Sequence, residues 1–218
     1  MKLAPLFSAA VCLSLLAFCA GSTGAQTVVT FDDLSETGSG SWFSIKYQGY
    51  EGLTWSNILC NNAILYTNVL ALEIPGLPGG RSGDYCGMAS ASNVVMLISG
   101  CEIDSPSTNF DFLSAYLTGA WNNNQNIEVH GFNGAKEIYD TIVVASATNP
   151  TLFTFNYLNI DRLYFTSSGG QPAFGYSAPQ SISIMDNFEF EFVPEPSSLL
   201  LTALGAVPLV AFLRRKRR

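Results

Sequence analysis

The chain reads as all-β, an antiparallel sandwich or barrel of short strands. Three observations lead there. The segment NFEFEF sets Phe188, Phe190 and Phe192 on one side and Asn187, Glu189 and Glu191 on the other, the period of two that marks a half-buried antiparallel strand. Similar segments recur along the chain, separated by runs rich in Asn, Gly and Pro such as WNNNQN, FNGAK, ATNP and SSGGQP. No long stretch between them repeats its apolar residues at the helical period.

Taken in order, strands are expected at 27–31, 51–56, 63–72, 85–88, 93–99, 108–118, 126–132, 136–145, 151–156, 161–167 and 181–192. The first runs through Val28 and Val29 and stops at the turn-forming pair Asp32 and Asp33. GLTWS, AILYTNVLAL, YCGM and NVVMLIS supply the next four. NFDFLSAYLT then places Phe110 and Phe112 on one side of Asp111, and NIEVHGF sets Ile127 and Val129 against Glu128 and His130. EIYDTIVVAS, TLFTFNYL and DRLYFTSS continue the pattern, with Gly169 and Gly170 read as a turn. There is no solenoid repeat and no low-complexity block.

The two ends have a different character. Residues 1–25 carry Lys2, an apolar run from Leu6 to Ala20, and Thr23 and Ala25 at the small-residue positions of a cleavage site, the pattern of a secretory signal peptide. Residues 26–192 form the expected sandwich domain. Residues 193–218 read VPEPSSLLLTALGAVPLVAFLRRKRR. Residues 197–213 lack charge and are just long enough to cross a bilayer as a helix. Arg214, Arg215, Lys216, Arg217 and Arg218 would stop transfer and stay in the cytoplasm, so the body would face outward.

The motif Val193, Pro194, Glu195, Pro196, followed by a short apolar span and a basic terminus, resembles the PEP-CTERM sorting signal. The resemblance implies cleavage by an exosortase and a host that makes exopolysaccharide. The expected route is export across the inner membrane, transient anchoring by the C-terminal helix, and release to the cell surface or extracellular matrix. A second resemblance covers most of the body. VVTFDDL, YQGYEGLTWSN, FLSAYLTGAWNNNQNIEVHGFNG, TLFTFNYLNIDRLYFTSSGG and IMDNFEF occur in this order in a family of secreted β-sandwich proteins without an assigned activity. Those proteins are similar to galactose-binding-type jelly rolls. The resemblance therefore implies an antiparallel jelly-roll-like sandwich, an architecture that hosts many functions.

Composition narrows the function further. Between Gln26 and Phe192 the chain carries sixteen acidic and four basic residues, a net charge of −12. Such a body repels phosphate backbones, which excludes nucleic acid as a partner. Catalysis finds little footing: His130 is the sole histidine, and no G-x-S-x-G or H-E-x-x-H motif occurs. The chain reads as a non-enzyme, and a hydrolase would need two of its carboxylates to face each other across a cleft.

Three sites are candidates for more than packing. Asp32 and Asp33 after the first strand, with Asp186 opening the last, could converge on a structural calcium, the alternative being ordinary turn chemistry. Trp42 and Trp121, with Asn122 and Asn123 beside the latter, could form a glycan platform, because sugar C–H faces stack on rings while hydroxyls seek amides. The competing reading puts Trp121 at the end of a core strand and the Asn run in a turn. Of the cysteines left after the leader, Cys60 and Cys86 flank turn-like segments and are the expected disulfide, with Cys101 left as a buried thiol. The preferred function is a non-enzymatic surface or matrix protein; carbohydrate binding to exopolysaccharide is the alternative, and a glycoside hydrolase the second.

Overall fold

Strand alternation decides which faces meet, and the fold follows from it. The computed structural model describes residues 24–34, 43–44, 49–65, 83–173 and 181–194, and contacts gather Gln26–Val193 into one unit. The described residues form ten strands: β1 (Gln26–Val29), β2 (Phe43–Ser44), β3 (Thr54–Asn62), β4 (Asn93–Asp104), β5 (Phe110–Thr118), β6 (Asn122–Asn133), β7 (Lys136–Ala145), β8 (Thr151–Ile160), β9 (Arg162–Pro172) and β10 (Ile182–Phe192). Their order is β7-β6-β9-β4-β10-β5-β8, with β3 beside β4, β2 beside β3 and β1 beside β10. The ladders are antiparallel throughout.

This continuous ladder folds over on itself at β4. The first half of β4, Val95–Ile98, bonds to β10, and the second half, Cys101–Asp104, bonds to β9. Between the halves Gly100 has φ of 79°. Across from it Asn57, at φ 56°, sits in a bulge of β3 and donates its side-chain amide to the Gly100 carbonyl at 3.3 Å. A bulge adds local twist and re-aims the strand, and glycine accepts the left-handed conformation without a steric cost. One layer then contains β3, β4, β9, β6 and β7, and the facing layer β1, β10, β5 and β8.

The two layers close on a core of aromatic rings. Phe112 of β5 stacks on Phe155 of β8 at 4.8 Å and on Phe188 of β10 at 4.9 Å, and meets Phe165 of β9 edge-on at 6.4 Å. Trp55 of β3 sets its edge against Phe31 and Phe188. Tyr157 of β8 reaches across the sandwich and donates to the Val129 carbonyl of β6 at 2.9 Å. Gly131 of β6 makes room for that ring, since a Cβ there would fall 2.9 Å from Tyr157 Cδ2. A second, smaller cluster of Ala63, Val94, Met96, Ala120 and Ile184 lies on the outer side of β4 and β10. The 3-10 turn Tyr85–Gly87 packs on this side, with Gly87 against Ile184.

The all-β expectation holds for this body, and the deviations have local causes. Where a strand is expected at 85–88, Tyr85–Gly87 form a 3-10 turn. The strand expected at 63–72 ends at Asn62, and Ala63–Leu65 begins a helical turn. Residues 66–72 lie outside the described residues. Gly169 and Gly170 do not break β9: at φ 67° and 82° they stay in the ladder, Gly169 opposite Gln125 of β6. Among the described residues no helix is long and apolar enough to cross a membrane. Residues 1–23 of the expected leader, and the segment 195–218 with its span 197–213, lie outside the described residues.

Replacing Phe112 by Ala removes the ring that touches both layers. Chemical denaturation should show a loss of about 3–5 kcal/mol, whereas Thr154→Ala on the exposed side of β8 should stay within about 0.5 kcal/mol of the parent.

Candidate functional site

The outer face of the β7-β6-β9-β4 layer gathers the functional side chains. Inward residues of these strands, such as Ile127, Val129, Leu163, Phe165 and Ile103, belong to the core. Their neighbours in sequence therefore point outward. Register then brings Asp140, His130, Tyr164 and Glu102 into one row across four strands, His130 opposite Asp140 on one side and Tyr164 on the other, and Tyr164 opposite Glu102. A second row places Glu137 beside Phe132, Phe132 beside Arg162 and Arg162 beside Asp104.

Carboxylates surround the histidine. His130 Nδ1 lies 2.7 Å from Glu137 Oε1 and 3.6 Å from Asp140 Oδ1, and Nε2 lies 3.8 Å from Glu128 Oε2. The imidazole is 19% exposed while Asp140 is 63% exposed, so the ring is held in the surface and the acids stand around it. Tyr164 lies beside it, with ring centroids 5.9 Å apart and tilted by 47°. Arg162 covers the Phe132 ring at 4.1 Å and reaches Glu102 at 3.4 Å. Burial first, then the Glu102 charge, pushes the Asp104 carboxyl up. The ligand atoms of His130, Glu137 and Asp140 lie within 4.8 Å of one another, a spacing that suits a divalent metal. The hairpin turn at Gly134, read from FNGAK, creates this grouping by folding β7 back on β6.

The residues singled out for calcium, Asp32, Asp33 and Asp186, all accept hydrogen bonds within the fold. Asp186 is buried, and its Oδ2 accepts the N–H groups of Ala89 and Ser90 at 2.7 and 2.8 Å, while Oδ1 accepts that of Asn187 at 2.7 Å. Burial pushes its carboxyl up, and these hydrogen bonds oppose the shift. Asp32 Oδ1 accepts the Asn93 N–H at 2.9 Å, and Asp33 Oδ1 accepts the Tyr50 hydroxyl at 2.6 Å. Each acid accepts hydrogen bonds from a different, sequence-distant segment.

Around Trp121, proposed for a glycan platform, the neighbouring Asn side chains bond within the fold. Asn122 is fully buried and donates to the Gly169 carbonyl at 3.3 Å. Asn123 Oδ1 accepts the Ala147 N–H at 3.1 Å and the Ser146 hydroxyl at 3.3 Å. Trp121 packs half-buried against the smaller cluster. Asn123 thus fastens the start of β6 to the β7–β8 connection. Trp42 lies outside the described residues.

The expected Cys60–Cys86 bridge is not formed either, both residues being thiols. Cys60 points into the main core, and successive strand residues face opposite ways, so Asn61 faces the side that carries the 3-10 turn. Cys86 sits in that turn, on the other face of the sheet. Cys101 is a buried free thiol, as expected, with burial pushing its pKa up to about 12.

One buried acid escaped the sequence reading. Asp84, at the start of the 3-10 turn, has no exposed surface, and burial pushes its carboxyl up to about 7. Nothing in GDYCG distinguishes it from a surface turn residue.

At the end of the body the Val193 N–H donates to the Asn109 carbonyl at 2.9 Å, and its carbonyl accepts the Thr108 hydroxyl at 3.1 Å. Pro194 is exposed; Glu195, Pro196 and the basic residues 214–218 lie outside the described residues.

Solved structures resemble this body. A DUF4465 family protein from Bacteroides caccae superposes with a TM-score of 0.52 at 12% identity, covering 77% of this chain and 99% of that one. The likeness is one of fold. A DUF4465 family protein from Bacteroides ovatus gives 0.42 at 7% identity, with 77% and 94% covered. TmCBM61, in complex with β-1,4-galactotriose, gives 0.29 at 9% identity, with 82% and 94% covered. No family model matches the chain, and no curated protein matches it. The first superposition fits an antiparallel β-sandwich and assigns no activity.

The Cys101 environment has a chemical consequence. Folded, the thiol keeps its proton until about pH 12, whereas its ordinary value is 9.0. The folded state therefore binds the extra proton, and stability falls as pH rises through this window. Iodoacetamide at pH 8 should leave Cys101 unmodified in the native protein and label it once denaturant is added, as read by mass spectrometry.

Proposed function

We propose that this protein is an exported, non-catalytic β-sandwich that binds neutral carbohydrate through the outer face of β7, β6, β9 and β4. The observation that carries this reading is the row Asp140, His130, Tyr164, Glu102. A sugar ring presents C–H faces to an aromatic ring and hydroxyls to carboxylates and imidazole, and the row offers both within one flat surface. Thr166 and Arg162 extend the hydroxyl-seeking margin on β9, Thr166 already donating to Glu128 at 3.2 Å.

The acids around His130 and at Glu102 outnumber the cations nearby, which disfavours uronate or sulfated chains and favours neutral ones. The PEP-CTERM tail is the delivery device on this reading. Export and anchoring present the body outside the inner membrane, exosortase cleavage frees it, and the polysaccharide it meets there is the ligand. The strong hold on Val193 supports a cleavage boundary at the very end of the folded body, with the exposed Pro194 opening the processed segment.

Two experiments test the two halves. Binding to neutral and acidic polysaccharides, measured by affinity electrophoresis, should be selective for a neutral polymer and fall at least about tenfold in Tyr164→Ala. Trp121→Phe should bind as the parent does; equal binding by Tyr164→Ala would remove the proposed site. Separately, a chain truncated after Phe192 should appear in periplasm or medium, and unchanged retention in the envelope would overturn the sorting reading.

A further inference from the structure

The hairpin of β6 and β7 is irregular at the place where the acids meet His130. His130 pairs with Asp140 and Gly131 with Tyr139, but Phe132 pairs with Glu137, so Ile138 is an extra residue in β7. In a regular strand Glu137 and Asp140, three positions apart, would face opposite sides of the sheet. The bulge re-aims the strand and brings both to the outer side. There His130 Nδ1 stands 2.7 Å from Glu137 Oε1 and 3.6 Å from Asp140 Oδ1.

The imidazole is also held from behind. Its Nε2 faces Glu128 Oε2 at 3.8 Å, and the Thr166 hydroxyl of β9 donates to that same oxygen at 3.2 Å. Tyr164 flanks the ring. A histidine that ligates a metal through one nitrogen directs the other toward a carboxylate, carbonyl or water, which fixes the ring and raises its basicity. Thr166, Glu128 and His130 stand in that order, and Nδ1 is the nitrogen turned toward Glu137 and Asp140.

The spacing fits a small tetrahedral ion. Ligand atoms about 2.0–2.2 Å from such an ion stand roughly 3.3–3.6 Å from one another. The Asp140 separation already has this value, and all three ligand atoms lie within 4.8 Å. The Glu137 separation is that of a hydrogen bond, and an entering ion takes the place of its proton. Glu137 is exposed, so its side chain is free to retreat by about 1 Å as the ion enters. Three carboxylates against one imidazole keep the cluster anionic in either protonation state of the ring, and this draws a cation. A nitrogen with two carboxylate oxygens suits zinc, whereas calcium takes six to eight oxygens.

We propose that His130, Glu137 and Asp140 bind a divalent transition-metal ion of the zinc class on the outer face, with water in the fourth position. Glu128 is a positioning residue behind the imidazole. The site shares His130 with the carbohydrate reading but does not rest on it, because the ion needs no sugar.

The test uses the full-length chain, purified in detergent without a histidine tag and stripped with a chelator. Zinc chloride and calcium chloride are titrated by calorimetry with no sugar present. One zinc site is expected, with calcium bound at least about a hundredfold more weakly. His130→Gln and Asp140→Asn should each lower zinc affinity by about a hundredfold, and Glu128→Gln by about tenfold or more. Glu191→Gln, in the facing layer, should bind zinc as the parent does. His130 is the sole histidine of the chain, so its nitrogen resonances read the site directly in the parent. Zinc should shift Nδ1 and leave the proton on Nε2. Absence of a zinc response in the parent overturns the proposal, as do zinc binding that survives His130→Gln and calcium binding of equal strength. Zinc binding lost in Cys86→Ser instead would assign the ion to the thiol of the 3-10 turn and overturn it equally. Loss of sugar binding is read separately with Tyr164→Ala, so the two readings fail independently.

Discussion

The packing of Phe112 against rings from both layers is the contact on which the rest of the sandwich depends. Stacked faces hold β5 to β8 and β10, and the edge contact to Phe165 ties that layer to β9. Offset and edge-on rings add a specific preference to the area they bury, so the sheets sit at one spacing rather than sliding. That spacing lets the Tyr157 hydroxyl reach the Val129 carbonyl, and it requires Gly131 beneath the Tyr157 ring. With β6 and β9 located by the core, their outward residues have no freedom to drift apart. The row of His130 and Tyr164 is thus a consequence of packing on the opposite side of the same strands.

Carboxylates in this molecule do two kinds of structural work. At Asp186 and Asp32 they gather backbone N–H groups from loops that cannot join a ladder, which secures segments 89–93 to the ends of β10 and β1. Asn93 completes that arrangement by donating to the Phe31 and Leu34 carbonyls at 2.8 and 2.6 Å. Hydrogen bonds to an ionised acceptor are among the stronger ones, and several on one carboxylate offset much of the burial penalty. At Asp84 burial is opposed by the Asn61 amide alone, which sets it apart from Asp186, where several hydrogen bonds oppose it.

Much of the fold was legible because strand alternation is a local property. NFEFEF forms the core side of β10 as read, and the hairpin of β6 and β7 turns where FNGAK places it. The failures come from residues whose role is set by distant partners. Gly169 and Gly170 look like a chain reversal in sequence, but pairing with β6 holds that stretch within β9. YCGM has the residues of a short strand and becomes a turn because Gly83 and Gly87 can press onto β5 and β10 where a Cβ could not. Within WNNNQN, Asn122 donates to the Gly169 carbonyl of β9 and Asn123 accepts the Ala147 N–H, partners that only the folded topology delivers. The His130 grouping was half visible: Glu128 precedes it by two residues, whereas Glu137 and Asp140 arrive through the hairpin register.

Charge sets the terms on which the outer face can meet a polymer. The body carries −12, but at physiological ionic strength a charge is felt over about 8 Å, so the groups on the face itself decide the encounter. There Glu102, Glu128, Glu137 and Asp140 surround His130 and Tyr164, and Arg162 is already engaged with Glu102 and the Phe132 ring. An anionic chain laid along this row would lose solvation without gaining a cation in exchange. A neutral chain loses only water from its hydroxyls, and the same carboxylates replace that water as acceptors. On the proposed reading, the arrangement that makes the face a poor partner for acidic polymers suits hydroxyl-rich ones.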